Sequence, residues 1–97
     1  MAVRVQTMLK AVAQELHLSQ EELLRQATRS LLERQLREVK AEIFQITGRY
    51  GVSSVEEMEA RYRDGTLEEA DSWRDLQRLD HLEYKRDRLL RLLGTVS

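Results

Sequence analysis

No glycine and no proline falls between Gln20 and Thr47. A helix can therefore run unbroken from about residue 20 to 49, a rod of roughly 45 Å at about 1.5 Å per residue. A compact globule of this chain length is only about 32 Å across. The rod overshoots such a globule, so part of its apolar stripe is expected to find cover on a second chain or a partner. The stripe is Leu32, Leu36, Val39, Ile43, Ile46 and Tyr50, whose steps of four and three residues are coiled-coil spacing. We read these six residues as an oligomer interface. Nearer the start of the rod, Leu24, Ala27 and Leu31 mark a second face, roughly 110° around the helix. The simplest arrangement packs the first helix there and leaves the later stripe to the last helix or a symmetry mate.

The rest of the chain also reads as helix. It has no proline and only four glycines among 97 residues, so breakers are scarce. Charged residues reach 34%, which suits amphipathic helices with solvated outer faces. Three capping boxes set a hydroxyl three residues ahead of a Glu: Ser19 with Glu22, Ser54 with Glu57, and Thr66 with Glu69. Gly48 or Gly51, Asp64-Gly65 and Gly94 are the matching stops. The expected fold is all-α and a single domain over 1–97. Its helices lie at about 2–16, 20–49, 55–63 and 67–93, the long one central, in antiparallel or coiled-coil packing. Val5, Met8, Leu9, Val12 and Leu16 have helical spacing, but residues 2–7 also alternate like a short strand, and both readings stay open. On the last helix Glu83 and Arg86 interrupt a stripe of Leu76, Leu79, Leu82, Leu89, Leu90 and Leu93. Arg86 should meet Glu38 or Glu42 across an interface, or else carry its head to water.

Charge is uneven although the net is −1. Residues 48–75 hold eight acids against four arginines, while 76–97 hold five bases against three acids. An acidic middle beside a basic tail suits a charge-steered contact, and equally suits ordinary solvated faces.

Catalytic chemistry has little to build on. There is no cysteine, so disulfides and thiolate sites are excluded. His17 and His81 have no partner at metal-ligand spacing, and both read as surface residues. No phosphate-binding glycine loop or nucleophile elbow occurs. We expect no enzyme, no cofactor and no bound metal. With no apolar run long enough for a membrane span and no secretory signal, a cytoplasmic protein is expected. The aromatics are more telling. Phe44 sits about 120° from the centre of the rod's stripe, among Arg37, Lys40 and Gly48. Trp73, Gln77, Asp80 and Tyr84 step along one edge of the last helix. Aromatic residues with polar spacers are what protein–protein hot spots are made of. Phe44, Trp73, Gln77 and Tyr84 are the candidate partner-binding residues, although Trp73 also suits the edge of the core.

The segment Leu18-Ser19-Gln20-Glu21-Glu22-Leu23-Leu24-Arg25-Gln26-Ala27, continuing to Leu31-Leu32-Glu33-Arg34, resembles the second helix of ribbon-helix-helix, VapB-like antitoxins of prokaryotes. Residues 49–84 resemble the back half of helical proteins presumed to be antitoxins. The resemblance implies two parts: a half over 1–47 for dimerisation and candidate operator-DNA binding, and a half over 48–97 that wraps and neutralises a toxin encoded by the adjacent gene. The function read here is a non-enzymatic, antitoxin-like interaction module that forms a homo-oligomer. The alternatives are a DNA-binding autoregulator using residues 2–7 as a ribbon, and a purely structural helical homo-oligomer.

Overall fold

The computed structural model describes residues 4–96. They form helices α1 (Val5–Glu15), α2 (Gln20–Tyr50), α3 (Val55–Asp64) and α4 (Glu69–Val96), and no strand occurs among the described residues. Residues 2 and 3 lie outside that range. Residues 5–7, for which a strand stayed open, belong to α1, and Arg4 is its extended N-cap. The helical spacing of Val5, Met8, Leu9 and Val12 prevails over the short alternation, which has no strand beside it to pair with.

The helix ends follow from local chemistry. The Ser19 side chain accepts from the Glu22 amide at 3.0 Å and the Ser54 side chain from the Glu57 amide at 3.1 Å, so both serines cap as expected. Glu57 reaches back to Ser53 instead of to Ser54 itself, accepting from the Ser53 hydroxyl at 2.5 Å and its amide at 3.2 Å. Those bonds hold the Glu57 carboxyl below its ordinary pKa. The Thr66 box does not form. Asp64 captures the Thr66 amide at 2.9 Å and its hydroxyl at 2.6 Å, and α4 begins three residues later, at Glu69. An aspartate two residues upstream competes locally for the same donors. Gly51 and Gly65 close α2 and α3 in the left-handed region, at φ 65° and 80°. His17 plays the same part after α1, at φ 57°, and the Leu18 amide then reaches the Ala13 carbonyl at 2.9 Å.

α2 and α4 carry the core. Leu36, Val39, Ile46, Val52, Met58, Leu79, Leu82 and Leu89 are buried together, with Leu32, Ile43 and Tyr50 packed against them. Of the six residues read as an oligomer interface, Leu36, Val39 and Ile46 are thus buried within the single chain, and Leu32, Ile43 and Tyr50 are half-buried against the same core. Arg49 meets Asp75, and further back on α2 Glu42 meets Arg78 further along α4, so the two helices run antiparallel. α3 lies along α4, with its Met58 fully buried. Buried polar groups are satisfied: Ser72, 1% exposed, donates to the Glu68 carbonyl at 2.8 Å and bonds the Tyr62 hydroxyl at 2.7 Å.

The two charges on the α4 stripe have separate fates. Glu83 accepts from the Val55 amide at 3.1 Å and so caps α3 from another helix. Arg86 meets neither Glu38 nor Glu42; its nearest acid is Asp87, at 3.0 Å, and Glu42 is held by Arg78 at 2.7 Å. The Arg86 side chain is 33% exposed and pairs along its own helix rather than across to α2.

The molecule is elongated, 60 × 31 × 16 Å with a radius of gyration of 19.7 Å. A compact chain of this length would have about 12.5 Å. The excess lies at the end formed by α1 and the start of α2. α1 touches α2 but fully buries only Ala13. Leu24, Ala27 and Leu31, the face expected to receive α1, remain exposed.

Candidate functional site

Trp73, Gln77, Asp80 and Tyr84 lie on one edge of α4, one turn apart, because residues four and three apart stack on a helix. α3 lies alongside, and the two helices leave a hollow of about 220 Å³ lined by Val55, Glu59, Leu76, Gln77 and Asp80. Ligand pockets usually start near 300 Å³. This one has the dimensions of a seat for a side chain. Trp73 is 43% exposed and Tyr84 57% exposed. Each aromatic carries an arginine. The Arg74 guanidinium stands 5.8 Å from the Trp73 ring centre, and Arg88 stands 5.7 Å from Tyr84 while donating to its hydroxyl at 3.0 Å. Such contacts restrict both side chains before any partner arrives. Trp, Tyr and Arg are the residues enriched in interface hot spots.

Three of the four candidate partner-binding residues thus share one surface. The fourth, Phe44, stands on α2, 76% exposed, the most exposed of the large hydrophobic side chains described. Arg74 and Arg88 had not been singled out from the sequence. Their signal was present as a base one residue after Trp73 and four residues after Tyr84.

A second apolar surface was not foreseen as a site. Val5, Met8, Val12 and Leu16 had been expected to pack on α2, yet they are 63%, 49%, 40% and 56% exposed. Leu24 and Leu31, each 48% exposed, lie on the first half of α2.

Near the end of α2, one carboxylate gathers two donors. Arg49 donates to Asp75 at 2.6 Å, and the Tyr50 hydroxyl donates to the same oxygen. The Tyr50 bond, with Arg49 beside it, holds Asp75 below its ordinary range, and the same bond raises Tyr50. Arg61 donates to the carbonyls of Tyr50 at 3.1 Å and Gly51 at 3.0 Å, closing the C-terminus of α2 with a cation. Every member of this cluster is accounted for by the joint between α2, α3 and α4. His17 and His81 are both exposed, and no cluster of metal-ligating side chains occurs among the described residues. Among the described residues no helix is long and apolar enough to cross a membrane.

No curated protein and no solved structure matches the chain. One family does, and its match spans residues 1–97, the whole sequence: the chain belongs to the Uncharacterized protein MJ0235 family.

Proposed function

We propose that the chain is a non-enzymatic protein-interaction module of the antitoxin type, acting by laying helical faces on another protein. One observation carries this reading. Eleven large hydrophobic side chains are exposed among the described residues, against nine hydrophobic residues in the core. Scattered exposed leucines are ordinary, but helix faces and edges with this content mark interaction sites. Here they fall on the α1 face, on the first half of α2 at Leu24 and Leu31, on α2 at Phe44, on the Trp73–Tyr84 edge of α4, and near the end of α4 at Leu90 and Leu92.

In this reading the aromatic edge meets a different protein, and the hollow beside Gln77 receives one of its side chains. A basic partner would also be attracted by the acidic 48–75 segment. The test is co-expression with the product of the adjacent gene, followed by affinity capture of either chain. We expect a stoichiometric complex that Tyr84→Ala weakens about tenfold or more, the scale of a hot-spot residue, while the variant melts like the parent. No complex with the neighbour removes the antitoxin reading. A complex of unchanged affinity in Tyr84→Ala moves the contact off this edge. The DNA-binding alternative loses residues 5–7 of its ribbon, which lie in α1.

A further inference from the structure

We infer that the exposed face of α1 pairs with the same face of a second copy, antiparallel about a twofold axis. This deepens the interaction-module reading, on which it rests, by naming the occupant of one surface. A twofold contact requires a patch complementary to itself. The α1 face has that property in its spacing. Set antiparallel, Val5 of one copy lies opposite Leu16 of the other, which puts Met8 one residue from Val12, in both halves of the contact. Leu9, half-buried, falls opposite Val12 by the same pairing and thickens the centre.

The charges agree. At about 100° per residue, Arg4 and Glu15 fall on the same flank of the apolar face. Lys10 is on the opposite flank, away from the seam. Antiparallel pairing brings like flanks together, so Arg4 of one copy comes beside Glu15 of the other, and the symmetry gives that pair twice. A parallel pairing would bring unlike flanks together and leave Arg4 and Glu15 of the two copies on opposite sides of the seam.

The available area sets the strength. Val5, Met8, Val12 and Leu16 are each between 40% and 63% exposed. Four half-exposed apolar residues and a narrow rim put the contact near the low end of specific interfaces, below the usual 800 Å² or so per partner. The dimer should therefore dissociate on dilution. It should also be longer than one copy, since the paired face lies at one end of a 60 Å molecule.

Sedimentation equilibrium of the full chain, from low micromolar to several hundred micromolar, tests this. We expect a reversible monomer–dimer equilibrium, weakened at least tenfold by Val12→Glu. Arg4→Glu should weaken it severalfold, and Arg4→Glu with Glu15→Arg should restore it to within about threefold, since each exposed pair contributes little and occurs twice. Helicity by circular dichroism at low micromolar concentration should be the same in all variants. A wild-type chain that stays monomeric throughout overturns the proposal. So does a dimer indifferent to Val12→Glu, which would use another surface such as Leu90 and Leu92, and so does a charge swap that fails to rescue. If α1 is instead the seat of a different protein, the chain is monomeric alone and Val12→Glu abolishes that complex. Capture of the neighbouring gene product by a monomeric chain would leave the functional reading standing without this dimer. A dimer that captures nothing would do the reverse.

Discussion

His17 occupies a left-handed position that two of the other helix stops give to glycine. A side chain in that region is tolerated at a cost, and glycine has none. His17→Gly should raise stability by several tenths to about 1 kcal/mol, read as a higher midpoint in urea with an unchanged slope. A lower midpoint would mean that the exposed imidazole does something the backbone does not explain. Tyr50 and Asp75 offer a test with a sign. Asp75 is held below its ordinary pKa, so its contribution is present above about pH 4 and is lost as pH falls through the lowered folded value. Tyr50 is raised, so its contribution is present below about pH 10 and is lost as pH rises through the folded value. Tyr50→Phe should cost about 1 kcal/mol, constant between about pH 5 and 9, with the gap from the parent closing at either extreme. A gap independent of pH from 2 to 11 would assign the loss to packing. The Arg49 side chain is 57% exposed, so its share of the cluster is small.

At the level of elements, the sequence carried the positions of helices better than their neighbours. Ser19 and Ser54 cap where their boxes place them, because nothing nearby competes for the same amides. Thr66 fails because Asp64 is closer in the chain, a contest visible in the residues but decided by backbone geometry. The stripe from Leu32 to Tyr50 was legible from its spacing, yet spacing does not say whether the covering leucines come from the same chain. Nor could Glu83 be recognised as a cap for α3, because its partner, the Val55 amide, is brought there only by folding. Of the candidate site, the α4 edge could be read from periodicity; the hollow could not, since α3 supplies one wall. Intrachain cover makes Ile43→Asp informative. Ile43 packs against the core, and a charge there should cost several kcal/mol. The loss should be the same at every protein concentration, because α4 is tethered to α2. A loss that shrinks on dilution, where parent and variant would both be monomeric, would return the stripe to an interface between chains.

For the molecule as a whole, the core is placed off-centre. Its buried residues begin at Leu36 on α2 and belong to α2, α3, α4 and the α2–α3 turn, while α1 contributes only Ala13 to the interior. Stability within a chain follows buried contact, so the two ends should open with different free energies. An eleven-residue helix such as α1 is marginal in isolation, and its stability must come from what covers it. In the single chain that cover is a limited contact with α2; in the proposed pair it is also a second α1. Amide hydrogen exchange separates these contributions. At low micromolar concentration, the amides of Val5–Glu15 should exchange much faster than those around Val39–Ile46 and Leu79–Leu89. At several hundred micromolar, the α1 amides should slow selectively, because association adds free energy only to the end it covers. Protection of α1 equal to that of the core at every concentration would mean that the hairpin of α1 and α2 is stable by itself, and that its exposed leucines and valines are not held in reserve for a second copy.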